Sequence, residues 1–460
     1  MKKIKDKIRN KQSKVGIIGL GYVGLELLLS INEKKFTTFG FDKDKFKIEK
    51  LKKNLPTIST ITKQRLSKTK KKFFYNLKYV SKINLCDVII ICVPTPIKKN
   101  LEPDMSYVKN SIKSIYNYLR PGQILILEST VYPGATREIL FNTIRKNKKL
   151  KIGKNFFICF SPERVSPGKD YSINYSDITK VISGYSKNCV KILSFFYSTI
   201  FKKIYVASSL ESAEFTKLFE NCYRSVNIGL VNQMKIICDK LGLKIFDIIQ
   251  TASTKPFGFR PFAPGPGVGG HCIPIDPLFI SWVAGQKKVS SDFIRISRDV
   301  NLNITKWVVD KIIKKLNKNQ SKILIVGMAY KRDVDDYRES PSIEIFSKLK
   351  RKKFSIDYFD PYISKLNIKN KTYHSLTKIS SIKLKSYNAI IIATDHRNIN
   401  YKSILKNSKI IFDTRGVFQN INDKSLTGRK PPEEIMVKAK FNESKLLTEN
   451  IFKIIKIINV

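Results

Sequence analysis

The sequence predicts an α/β protein with two doubly wound parallel-sheet domains joined by a central helical segment. Three observations predict it. First, a short apolar run, Lys14 to Gly19 (KVGIIG), leads into Gly19-Leu20-Gly21-Tyr22-Val23-Gly24. A helical pattern to about Lys35 follows, then a second apolar run, Phe36 to Phe41, that ends at Asp42. Second, another such run begins at Lys322 (KILIVG) and starts a second βα series. Third, apolar residues recur with helical spacing between them, at Phe215, Leu218, Phe219, Cys222, Val226 and Leu230, over Leu210 to about Leu241. A chain of 460 residues exceeds one hydrophobic core, and the expected domains are residues 1–208, 209–318 and 319–460.

The first element is a dinucleotide fingerprint in its full context, which makes the first domain Rossmann-like. Gly19 makes the turn, Gly21 lets backbone approach a pyrophosphate, and Gly24 lets helix and strand pack. The helix N-terminus, at Tyr22 and Val23, offers N–H groups and a positive dipole end to phosphate. Asp42 is placed to accept from a ribose hydroxyl, and its charge argues for NAD over NADP. Further apolar runs follow: Cys86 to Val93 into Pro94-Thr95-Pro96, Gln123 to Leu127 into Glu128-Ser129-Thr130, and Phe156 to Phe160 into Ser161-Pro162-Glu163-Arg164. Ligands of open α/β sheets lie beyond the carboxyl ends of the strands, so Thr95, Thr130 and Glu163 point at a shared crevice. Each alone also suits a helix cap.

On the central helix, Lys217 and Asn221 are one turn apart on one face. They form either an exposed polar stripe or a pair of donors facing a site. Residues 264–277 then read PGPGVGGHCIPIDP, with Gly265, Gly267, Gly269 and Gly270 just ahead of Cys272, and Asp276 four residues beyond it. Glycines this dense allow backbone to approach a ligand closely, and prolines fix the chain on either side. Such a loop suits the presentation of a nucleophilic thiol, or it is a Gly/Pro turn around a core cysteine.

Asp310 to Lys322 is polar and lysine-rich and reads as the end of a helix and a connection. In the second βα series, strands are expected at Ile356 to Asp360, Ala389 to Ala393 and Lys409 to Asp413. Its glycine fingerprint is incomplete, which argues against a second dinucleotide. Lys331, Arg338 and Arg415 fall at strand ends or in the loops after them, where an anion could be met, although each is also one more cation in a basic chain. The tail from Gly416 to Val460 is amphipathic and lysine-rich and carries no evident chemistry.

Composition narrows the class. The net charge of +49 comes from 86 basic and 37 acidic residues. The lysines are spread along the whole chain with no nucleic-acid motif, so a nucleic-acid partner is not expected. No stretch approaches the length of a membrane span, and the basic N-terminus lacks a signal peptide's apolar segment. The seven cysteines show no CxxC spacing. They read as reduced thiols, with no metal site, in a protein expected to be cytoplasmic.

Taken in order, the motifs GLGYVG (19–24), PTP (94–96), EST (128–130), SPER (161–164), Lys217 with Asn221, GVGGHCIPIDP (267–277), YKRDVDDYRESPS (330–342) and DTRG (413–416) resemble the UDP-glucose/GDP-mannose dehydrogenase family over roughly residues 13–418. The resemblance implies two Rossmann-like domains flanking a helical dimerisation segment, and therefore a homodimer. It implies oxidation of a sugar C6 alcohol to a carboxylate with two NAD and one water. By motif match Cys272 is the nucleophile, Lys217 and Asn221 hold the oxyanion, Asp276 is a base or positions water, and Glu163 assists thioester hydrolysis. Gly19, Gly21, Tyr22, Val23, Gly24, Asp42, Pro94, Thr95, Thr130 and Arg338 are the implied cofactor contacts. Glu163, Arg164, Val165, Lys217, Asn221, Arg260, Gly267, Gly269, Gly270, Tyr330, Lys331 and Arg415 are the implied contacts to a UDP-sugar. The run Thr254 to Phe259 (TKPFGF) and the HCIPIDP form of the loop resemble the bacterial UDP-N-acetylglucosamine 6-dehydrogenases of surface-polysaccharide synthesis. UDP-N-acetylgalactosamine, UDP-N-acetylmannosamine and UDP-glucose stay open, as does a non-catalytic nucleotide-sugar-binding protein. One position departs from the glucose branch: Pro167 stands where that branch carries a second acid.

Overall fold

The computed structural model describes residues 1–460 apart from 59–60, 70, 76, 165–174, 271, 317–320, 419–455 and 460. The chain forms two compact units, Met1–Cys222 with Ile275–Ser291, and Tyr223–Pro274 with Asp292–Val460.

The first unit is built on an eight-stranded sheet: β1 (Lys14–Ile18), β2 (Thr37–Asp42), β3 (Lys71–Tyr75), β4 (Val88–Ile91), β5 (Ile124–Leu127), β6 (Phe157–Phe160), β7 (Lys180–Gly184) and β8 (Ile204–Val206). Their order is β3-β2-β1-β4-β5-β6-β7-β8. Val15 of β1 pairs in parallel with Thr38 on one side and Val88 on the other. The connections therefore reverse direction at β1, which is where a doubly wound sheet opens its crevice. Every residue of β4 (VIII) and β5 (ILIL) is buried, as expected for strands covered on both faces. One face packs under helix Tyr22–Glu33 and helix Lys187–Tyr197, through Leu25, Leu28, Ile192 and Phe196. The other packs under helix Ser106–Ile115, with Val108 and Ile112. Phe279, fully buried in that second cluster, anchors helix Asp276–Gln286.

The strand ends expected from sequence agree with these spans to within one or two residues. Other features were not anticipated, among them the strands β3 and β8. The basic N-terminus forms helix Lys2–Arg9, whose Ile4 and Ile8 join the core. The strand β7 runs antiparallel to β6. The apolar pattern of the long helix Leu210–Leu241 divides: Leu218 and Cys222 are buried, whereas Phe215, Phe219 and Leu230 are exposed.

The second unit has a parallel sheet of β9 (Lys322–Val326), β10 (Ser355–Phe359), β13 (Ala389–Ile392), β14 (Ile410–Asp413) and β15 (Lys456–Asn459), in the order β10-β9-β13-β14-β15. A separate antiparallel pair, β11 (Lys365–Ile368) and β12 (Lys371–His374), turns through Lys369 and Asn370, both at positive φ. Positive φ at both central residues is the requirement of a tight hairpin turn, here met without glycine. Helix Asp292–Lys315 precedes β9, and Val308 and Ile312 carry it onto the sheet's core. Most of the tail after Gly416 lies outside the described residues; Val417, Phe418 and β15 are described.

Candidate active site

The fingerprint turn has the geometry that each glycine was expected to supply. Gly19 sits at φ +92, and a Cβ there would lie 2.6 Å from the Cys92 carbonyl oxygen. A Cβ on Gly24 would lie 1.9 Å from the Gly19 carbonyl oxygen, so helix and strand meet there. At Gly21 a Cβ would meet nothing within 4 Å: that backbone faces open space. Helix Tyr22–Glu33 starts from Gly21 with no side-chain cap, so the dipole end is open to an anion. Asp42, at the end of β2, accepts from the Leu20 amide at 2.8 Å and pairs with the Lys47 ammonium at 3.0 Å. These residues fit a dinucleotide. Thr95 and Thr130 are half-buried and Pro94 is exposed, each at the carboxyl end of its strand.

In the same unit, Asn221 is buried and its amide nitrogen donates to Asp276 Oδ2 at 2.6 Å. Lys217, one turn earlier and half-buried, is close enough to act on the Asp276 charge. Burial pushes the Asp276 carboxyl up to about 6, against the pull of Lys217 and Asn221. Asn221 thus faces a buried carboxylate, with half-buried Lys217 one turn away. Glu163 is buried, and its Oε2 accepts from the Tyr175 hydroxyl at 3.0 Å and the Lys180 ammonium at 3.2 Å. Arg164 is exposed and pairs with Glu220 at 2.7 Å, while also donating to the Thr179 carbonyl. Val165 and Pro167 lie outside the described residues.

The glycine loop belongs to the second unit. The sequence suggested that its glycines admit a ligand; the near neighbours at all four are parts of this chain. A Cβ at Gly265 would lie 2.8 Å from Arg415 Nη1, at Gly267 2.6 Å from Thr305 Oγ1, at Gly269 2.6 Å from the Glu339 carbonyl oxygen, and at Gly270 2.7 Å from the Tyr330 ring. Missing side chains here let the loop lie against the YKRDVDDYRESPS segment and Arg415. Asn232 accepts from the Gly265 amide at 3.0 Å, and Thr305 donates to the Pro266 carbonyl at 2.6 Å. Cys272 is half-buried and in no disulfide, near enough to Tyr330 to act on its hydroxyl, which burial, Asp336 and Cys272 push up to about 12. Arg415 donates through Nε to the Ala393 carbonyl at 2.8 Å, and burial lowers it to about 10 against Asp413 and Tyr401. Arg338 pairs with Asp336 at 2.6 Å. Lys331 is half-buried and Arg260 exposed.

Sequence reasoning did not single out Glu128 and Lys180 as functional. Lys180 Nζ lies 3.0 Å from Glu128 Oε2, and the Tyr197 hydroxyl donates to Glu128 Oε1. An acid closing the run ILIL was a visible signal for Glu128. Lys180 had none, being one of 86 basic residues. In the second unit, the amides of Met328 and Ala329, the counterparts of the fingerprint turn, donate to Asp360 Oδ2 at 2.6 and 3.0 Å. Among the described residues no cluster of His, Cys, Asp and Glu could hold a metal ion, and no helix is long and apolar enough to cross a membrane.

Known proteins agree with this layout. Three models of the UDP-glucose/GDP-mannose dehydrogenase family match in order: the NAD binding domain over residues 13–201, the central domain over 211–303 and the UDP binding domain over 324–420. A UDP-N-acetyl-D-glucosamine 6-dehydrogenase of Pseudomonas aeruginosa is 31% identical over 418 residues, 88% of this chain and 97% of its own. A UDP-N-acetyl-D-mannosamine dehydrogenase of Methanococcus maripaludis is 32% identical over 429 residues, covering 88% of this chain and 93% of its own. The solved structure of the UDP-N-acetyl-mannosamine dehydrogenase Cap5O from Staphylococcus aureus superposes with a TM-score of 0.73 at 30% identity, over 88% of this chain and 95% of that one. This chain belongs to the UDP-glucose/GDP-mannose dehydrogenase family, and with it to the NAD-dependent nucleotide-sugar dehydrogenases.

Proposed function

We propose that the chain oxidises the C6 hydroxyl of a UDP-N-acetylhexosamine, UDP-N-acetylglucosamine in the first instance, to the uronate. The observation that carries the reading is the buried Asn221–Asp276 contact with Lys217 beside it: two donors and a carboxylate poised near neutrality. Gly19, Gly21, Gly24, Tyr22 and Val23 would hold the pyrophosphate of NAD and Asp42 its ribose, and the bound cofactor would supply the hydride acceptor for both oxidations. Asp276 takes up the hydroxyl proton, for which a carboxyl near 6 is suited at neutral pH. Lys217 and Asn221 stabilise the oxygen as charge develops on it. The Cys272 thiol adds to the C6 aldehyde as a thiohemiacetal, whose oxidation gives a thioester. Water then hydrolyses it, with Glu163 as the assisting carboxylate. Arg164, Arg260, Tyr330, Lys331 and Arg415 are assigned to the UDP-sugar.

The TKPFGF run and the HCIPIDP loop support the glucosamine epimer. A second reading, UDP-N-acetylmannosamine, is favoured by relatives of equal identity that carry that name. Comparing kcat/KM for the two epimers and UDP-glucose decides between them: the proposal expects UDP-N-acetylglucosamine to lead. The proposal includes a homodimer, supported by the exposed apolar residues Phe219, Tyr223, Leu230, Ile237 and Leu241 along the long helix.

A further inference from the structure

Lys180 and Glu128 belong to no step above, yet with Glu163 they form the most buried charged cluster among the described residues of the first unit. Side-chain exposure is 5% for Lys180, 0% for Glu128 and 4% for Glu163. The cluster follows from the sheet order. Glu128 immediately follows β5, Glu163 follows β6 by three residues, and Lys180 opens β7, so three adjacent strands deliver the three charges to one end. The backbone there is pinned: the Glu128 amide donates to the Ile91 carbonyl at 2.9 Å, and the Lys180 amide to the Lys203 carbonyl at 2.9 Å. Ser161 donates to the Val181 carbonyl at 2.7 Å and ties the segment carrying Glu163 to β7. Lys180 lies over the rings of Tyr197 and Phe201 at 5.3 and 5.2 Å, which leave its ammonium directed at the carboxylates.

We propose that Lys180 is a positioning residue for thioester hydrolysis, holding Glu163 in place and ionised so that it accepts the proton of the attacking water. The inference rests on the reading of Glu163 given above. In the step concerned, the water oxygen bonds to the thioester carbonyl carbon and its proton passes to Glu163. The C–S bond then breaks, with its electron pair leaving on the Cys272 sulfur. A protonated Glu163 cannot perform this step. The Lys180 ammonium, 3.2 Å from Glu163 Oε2, favours the charged carboxylate by its own charge. Two carboxylates buried without a cation take up protons rather than stay charged side by side. Lys180 Nζ lies 3.0 Å from Glu128 Oε2 and 3.2 Å from Glu163 Oε2, so one ammonium serves both carboxylates, and burial raises the Glu128 carboxyl despite Lys180. Burial also works against the Lys180 charge, but Glu128 and Glu163 outweigh it and raise that group.

The test is a rapid-mixing experiment on the full chain with NAD and the UDP-sugar that the wild type oxidises. Lys180→Met is expected to release two NADH per active site at a rate close to wild type, and then stall. Steady-state kcat falls by about 10²-fold, within the range of a general base, with KM within about twofold. The stalled chain carries the mass of an acyl adduct on Cys272. Hydroxylamine, which attacks the thioester without a base, restores turnover. Lys180→Arg recovers most of the rate. Tyr175→Phe, which removes one hydroxyl from Glu163 and leaves the charges in place, shows the same pattern to a smaller degree and serves if Lys180→Met fails to fold. A wild-type kcat in Lys180→Met overturns the proposal. So does equal loss of the rapid NADH phase and of turnover in folded Lys180→Met, since Lys180 would then serve the fold or the hydride steps. A wild type that makes no NADH with any UDP-sugar overturns the catalytic reading itself.

Discussion

Asp276 is 3% exposed, and its desolvation falls on the charged form. A carboxyl raised from 3.8 to about 6 contributes fully to stability below its unfolded value and loses that contribution as pH rises through about 6. At pH 8 the loss is about 3 kcal/mol. Asp276→Asn keeps the shape and removes the charge. Its unfolding free energy is expected to exceed wild type by roughly 1–3 kcal/mol at pH 8, with the gap closing toward pH 4, while uronate formation drops. Denaturant melts across that range check it; no gap at pH 8 would mean the carboxylate is not desolvated. Lys217→Ala is expected to lower kcat by about 10²-fold or more, as removal of an oxyanion donor does. Cys272→Ser is expected to form no uronate at a wild-type rate, because an ester in place of the thioester turns over poorly. Residues of this kind differ in how legible they were. Cys272 and Asp276 stood out because a dense glycine-proline run frames them. Lys180 did not, because its significance lies only in which two acids the sheet brings to it.

The fingerprint turn was legible as an element because hard contacts dictate it. Only glycine fits where a Cβ would lie 1.9 Å from a carbonyl oxygen. Gly24→Ala is therefore expected to separate helix Tyr22–Glu33 from β1 and lower stability by roughly 1–3 kcal/mol, as overpacking does. A lower Tm and weaker NAD binding by calorimetry are the readouts. The Cys272 loop was half legible. The nearest neighbours of its glycines in the protein are Tyr330, Glu339, Thr305 and Arg415, which composition does not show. The hairpin at Lys369 and Asn370 was missed because its left-handed turn carries no glycine. The long helix was legible from its period. The sorting of its apolar residues was not, since Phe219 and Leu218 read alike until one is 60% exposed and the other buried.

At the scale of the molecule, the exposed stripe of the long helix and the net charge of +49 both bear on association. Leu230, 55% exposed, lies on that stripe. Leu230→Glu is expected to convert a dimer to a monomer in light scattering; a wild-type monomer would remove the homodimer from the account. Charge so large attracts UDP-sugar and NAD alike, so KM for both is expected to rise with ionic strength. Binding to DNA is expected to be negligible near physiological salt, since the cations are dispersed. A four-electron oxidation on one chain is tested most directly by the NADH formed per UDP-N-acetylglucosamine consumed when the sugar is exhausted under excess NAD. Two NADH for each uronate are expected. One NADH for each sugar, with free aldehyde in solution, would contradict a four-electron oxidation.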